Sequence, residues 1–121
     1  MEMFNLAGLA TKARLNARGK TLAAFDGRTV GISKFSAHPR WEMHPHGDEF
    51  LQVIEGELEL ALLLAKRTER TKLHAGEAVI VPKGVWHSPL PRGLVSLLHI
   101  ADYRSTKVSD AEDPRTETPG R

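Results

Sequence analysis

The sequence predicts an all-β fold of the sandwich or barrel kind. Two observations carry this expectation: short runs rich in aliphatic, β-branched and aromatic residues recur through 21–101, and turn chemistry separates most of them. Strands are expected at 21–25, 29–35, 40–44, 49–54, 57–64, 71–74, 78–81, 86–88 and 94–101. Between them stand Asp26-Gly27, His38-Pro39, Gly47-Asp48, Glu55-Gly56, Ala75-Gly76 and Pro82-Lys83-Gly84, residue types that supply positive φ or a fixed bend.

Taken in order, residues 1–20 place Leu6, Leu9, Ala10 and Ala13 at helical spacing, which predicts an N-terminal arm or short helix despite Gly8. The domain proper is expected over 21–104. At its centre Leu58, Leu60, Leu62 and Leu64 alternate with Glu57 and Glu59, the pattern of a sheet with one dry face. The charged run Lys66-Arg67-Thr68-Glu69-Arg70-Thr71-Lys72 reads as a solvated hairpin tip between two apolar strands. From Asp102 onward the composition turns polar, with Val108 the one large apolar residue of 105–121, so these residues are expected to form a flexible, disordered tail.

At 121 residues the chain suits one domain with a core of its own. It has no cysteine, which excludes disulfides and thiolate metal sites and fits a reducing compartment. No apolar stretch reaches the ~20 residues of a membrane span or forms a signal segment at the N-terminus, so a cytoplasmic protein without membrane contact is expected. Seventeen Lys and Arg against fifteen Asp and Glu leave a formal charge of +2 with no basic stripe, which argues against a nucleic-acid partner.

Chemistry concentrates in two segments. The later one, Gly76-Glu77-Ala78-Val79-Ile80-Val81-Pro82-Lys83-Gly84-Val85-Trp86-His87, has a tight entry at Gly76, a forced turn at Pro82 and Gly84, and His87 projecting from the next strand. The earlier one, Trp41-Glu42-Met43-His44-Pro45-His46-Gly47-Asp48-Glu49 followed by Gly56, gathers two imidazoles and several carboxylates. Together they resemble the two motifs of the cupin superfamily, H-x-H-x(3,4)-E-x(6)-G and G-x(5)-P-x-G-x(2)-H, although Pro91 stands where the second motif usually carries a further Asn. The resemblance covers roughly 21–101 and is strongest to small single-domain cupins. It implies a double-stranded antiparallel β-barrel of the jelly-roll type, a homodimer, and one divalent metal ion in the barrel.

Two registers of the first motif compete for the ligand set. In one, His44 and His46 form the H-x-H pair, with Glu49 one residue early. In the other, Trp41 matches a family Trp, Glu42 replaces the first histidine, and every spacing is kept. Pro45-His46-Gly47-Asp48 has good turn chemistry and favours the second register, while Gly47-Asp48 would also suit a hairpin in the first. His44, Glu49 and His87 are ligands in both, with Glu42 or His46 as the fourth.

Imidazoles and carboxylates without sulfur suit Fe, Mn, Ni or Zn, and additional carboxylate shifts the preference modestly toward Mn or Fe. Leu51, Val53, Leu58, Leu60 and His99 are expected to line the pocket. No second acid or base stands out, so two functions are carried forward. One is a metal-dependent enzyme, a dioxygenase or isomerase, acting on a small oxygenated molecule. The other is a non-catalytic module that binds or senses such a molecule.

Overall fold

The computed structural model describes residues 1–15, 19–37 and 40–116. The turn expected at His38-Pro39 and the end of the expected tail, 117–121, lie outside the described residues. Helix α1 (Leu6–Lys12) is followed by β1 (Lys20–Phe25), β2 (Arg28–Phe35), β3 (Trp41–Met43), β4 (Glu49–Leu63), β5 (Thr68–His74), β6 (Ala78–Val81), β7 (Trp86–Ala101), β8 (Lys107–Ser109) and a 3-10 turn at Pro114–Thr116. Helix α1 starts because the Asn5 side chain accepts the Gly8 N–H at 3.1 Å, and it lays the buried Ala10 against β2 and β4.

Two long strands organise the sheet. β4 and β7 pair antiparallel from Phe50↔Ile100 to Leu63↔Trp86, where the sequence suggests two separate strands in each. The break expected at Glu55-Gly56 is instead a bend within β4, with register shifts around Glu55. Gly56 has φ +92 there, and a Cβ at this position would fall 2.3 Å from the Leu94 carbonyl oxygen, so only glycine lets the two backbones approach. β7 runs through Pro89 and Pro91 because its flank is locally an edge. Among the described residues β3 reaches it only at His87, β2 takes over at Val95, and no described strand on that side asks the prolines for an N–H. On the far side of β4, β6 pairs with its first part and β5 with its second.

The sheet does not close into the double-stranded barrel expected from the motifs. The five-strand path β1-β2-β7-β3-β8 curls into an open half-barrel whose edges lie 19 Å apart, several times the spacing of paired strands, which is about 4.8 Å. The physical reason is short edges: β8 has three residues and β1 six, and no described strand spans the gap between them. The apolar core sits inside the curl, built from Phe35, Leu51, Val53, Leu58, Leu60, Leu73, Val81, Val95 and Leu97.

The expectation of a disordered tail from residue 105 is also corrected over 105–116. Lys107–Ser109 pair with Trp41–Met43 as β8, and Arg40 approaches Asp110 at 3.2 Å. Arg115 donates to the Leu64 carbonyl. Composition misjudged this segment because its anchoring is by backbone pairing and polar contacts, which apolar counting does not register.

Candidate metal centre

β3 and β7 bring the two motifs together, since Glu42 pairs directly with His87. His44 lies two residues beyond Glu42 and shares its inward face. The chain then turns through Pro45 and His46 before β4 opens with Glu49. The Gly84 N–H donates to the His44 carbonyl at 3.0 Å and the Lys83 N–H to Asp48 at 2.8 Å, so the Pro82-Lys83-Gly84 turn is tied to the first motif on both sides of its loop. His44, Glu49 and His87 are 3%, 5% and 1% exposed, and Glu42 is half-buried.

Donor atoms of Glu42, His44 and His87 all lie within 4.8 Å of one another. Glu49 Oε1 is 3.0 Å from His87 Nε2 and 3.2 Å from His44 Nε2, and Glu42 Oε2 is 3.9 Å from the same His44 nitrogen. His46, by contrast, is exposed on the turn. The backbone change at Pro45 ends the strand alternation that would have carried His46 inward.

The outer nitrogens of both histidines are held. The Thr106 hydroxyl donates to the Tyr103 carbonyl at 2.9 Å, so its oxygen accepts from His44 Nδ1, also at 2.9 Å. His87 Nδ1 donates to the Val85 carbonyl at 3.1 Å. Each imidazole thus turns Nε2 toward the carboxylates, the orientation that outer partners impose on metal-binding histidines. His44 Nε2 is buried without a hydrogen-bond partner despite its proximity to Glu49. A bare nitrogen facing carboxylate oxygens is unfavourable unless a cation lies between them, a proton in the metal-free site or a metal ion in its place. The donor set therefore fits a divalent ion.

The cluster opens on a cavity of about 670 Å³. Thr21, Thr29, Ser33 and Thr106 give its wall hydroxyl groups, while Phe35, Leu51, Pro89 and Leu97 make it apolar elsewhere. Of the residues expected to line a pocket, Leu51 and His99 do so; Val53, Leu58 and Leu60 are placed instead in the core cluster. Tyr103 and Thr106 reach the site without having been singled out from the sequence. The one available signal was that Tyr103 is the sole tyrosine, standing just past the last expected strand.

Residues 32–100, more than half of the chain, match the cupin domain family, Cupin_2. The chain is a cupin. This cupin is 29% identical over 86 residues to the uncharacterized protein YdbB of Bacillus subtilis (strain 168), covering 71% of this chain and 74% of YdbB. Its fold is similar to that of protein NMB1881 from Neisseria meningitidis, with a TM-score of 0.71 and 22% identity over 83% of this chain and 98% of that one. A cupin-2 domain protein from Shewanella frigidimarina NCIMB 400 superposes with a TM-score of 0.68 and 23% identity, covering 80% and 91%. Among the described residues of the cupin, no helix is long and apolar enough to cross a membrane.

Site electrostatics give the metal-free cupin a pH signature. Burial alone would raise the Glu49 carboxyl, but its contacts with His44 and His87 outweigh that and hold it well below the usual carboxylate range. Burial likewise pulls the His87 imidazole down, and the Glu49 carboxylate outweighs it, so His87 titrates above its ordinary 6.5. The Glu49 contribution is complete above its ordinary pKa and is lost only in strong acid. The His87 contribution is complete below 6.5 and is lost as pH rises through the raised value. In a chelator, the urea midpoint of wild type is expected to fall on the alkaline side of 6.5 with a slope that His87→Gln removes. Identical slopes in the two proteins would contradict the pairing.

Proposed function

We propose that this cupin holds one first-row divalent ion through Glu42, His44, Glu49 and His87, and that a small oxygenated molecule binds and reacts beside it in the cavity. The observation that carries this is convergence: two imidazoles and two carboxylates from β3, β4 and β7 meet at the wall of one cavity. With two carboxylates and two imidazoles, Mn or Fe is modestly preferred over Ni or Zn. Such an ion, when bound, supplies Lewis acidity and positions open to exchange. The chain's own part is to shape the space. Apolar side chains at Phe35, Leu51, Pro89 and Leu97 limit water, and the hydroxyls of Thr21 and Thr29 can hydrogen-bond an oxygenated ligand.

A second reading, a binding or sensing module, is favoured by one feature. Outside the four donors, the described titratable groups lining the cavity are His99 and Tyr103, and each is engaged in hydrogen bonds rather than facing the space unpaired. Nitric oxide separates the readings. The Fe(II)-loaded protein is expected to bind it and give an electron paramagnetic resonance signal, after which oxygen uptake can be screened with catechols, diketones and keto acids. An iron-loaded protein that gives no signal has no exchangeable position, and the binding module then replaces the enzyme.

A further inference from the structure

We propose that Tyr103 is a positioning residue for the metal centre: its phenol holds one oxygen of Glu49 and leaves the other for the ion, while Ser33 and His99 fix the phenol's direction. This rests on the reading above that Glu49 faces an ion. The direction of each bond follows from what its partners can do. Glu49 as a carboxylate can only accept, so the Tyr103 hydroxyl donates to Oε2 at 2.8 Å. The phenol oxygen is then the acceptor for His99 Nδ1 at 2.7 Å, which requires that nitrogen to carry the hydrogen. A neutral His99 has a bare Nε2, and the Ser33 hydroxyl donates to it at 2.9 Å. Every donor in the chain Ser33, His99, Tyr103, Glu49 points the same way, toward the centre.

Backbone shape supports the arrangement. A Cβ on Gly31 would lie 2.4 Å from His99 Cε1, and one on Gly19 would lie 2.7 Å from His99 Nε2 and 2.6 Å from Ser33 Oγ. The imidazole therefore occupies a slot that two glycines leave open. The Tyr103 ring also stands edge-on to His44, with centroids 5.1 Å apart, so the phenol touches two donor residues at once. With Oε2 committed to Tyr103 and Oε1 facing both histidine Nε2 atoms, Glu49 offers the ion one oxygen rather than two. That restraint keeps coordination positions available to a ligand.

Cobalt(II) is the probe, because its visible bands report coordination number. Untagged wild type, Tyr103→Phe and Ser33→Ala are each titrated with the metal, and circular dichroism of the metal-free forms checks folding. Tyr103→Phe keeps the ring and removes only the hydroxyl. It is expected to fold, to weaken cobalt binding by about 10- to 100-fold, the usual effect of an outer partner, and to change the band intensities as Oε2 becomes free to join the ion. Ser33→Ala should shift both in the same direction by less. If Tyr103→Phe matches wild type in affinity and spectrum, or loses affinity with its spectrum unchanged, the phenol is packing and the inference is overturned. If wild type takes up no cobalt, the metal reading fails and takes this inference with it.

Discussion

His87→Ala is expected to abolish most of the thermal stabilisation that a divalent ion confers on this cupin. An ion that binds the folded state alone stabilises it by RT ln(1 + [L]/Kd), about 2.7 kcal/mol at a hundredfold excess over Kd. For a domain of this size that is a rise in Tm on the order of 10 °C. His87 is buried against Glu49 at 3.0 Å, so its removal also leaves a buried carboxylate poorly paired and lowers the stability of the metal-free protein. The informative quantity is therefore the shift caused by metal, measured separately for each protein against its own chelated form. Equal shifts in wild type and variant with Mn, Fe, Ni and Zn would remove His87 from the centre.

Glu42→Gln and His46→Ala are expected to separate sharply. Glu42 pairs with His87 across β3 and β7, shares the inward face with His44, and lines the cavity, whereas His46 sits exposed on the turn after Pro45. Glutamine keeps the shape and removes the charge. Its cost in metal affinity should at least reach the roughly 10- to 100-fold typical of perturbing an outer partner, while His46→Ala should leave the titration unchanged. The reverse result would mean that the loop rearranges to bring His46 inward. Large losses in both would mean that a fifth group reaches the ion.

How far such residues were legible in the sequence depended on the kind of signal. Period-2 alternation at Leu58, Leu60 and Leu62 and the turn residues around Gly76 and Gly84 marked strands because they act locally. Gly56, read as a break, is a bend inside one strand, and Pro89 and Pro91 lie inside another. Whether a glycine or proline ends a strand depends on which neighbours flank it, a property of the assembled sheet. Closure was misjudged for the same reason: local pattern gives strands, but the 19 Å opening depends on how short β1 and β8 turn out to be. Motif spacing suggested that His44, Glu49 and His87 would come together, as they do, whereas Tyr103 and Thr106 could not be placed beside them from the sequence. They follow the last apolar run in a polar stretch, and only the return of the chain beside β3 brings them against His44 and Glu49.

If Glu42, His44, Glu49 and His87 form a metal site, the folded protein takes up a divalent ion in fixed stoichiometry. Protein purified without a histidine tag, stripped with chelator, reloaded under anaerobic conditions with each of Mn, Fe, Ni and Zn and desalted, would be analysed for its metal content. About one ion per chain for at least one of these metals is the predicted result, with the ion lost in His87→Ala. A wild-type protein that retains none of the four above background, while remaining folded, would mean that these side chains do not hold a metal ion.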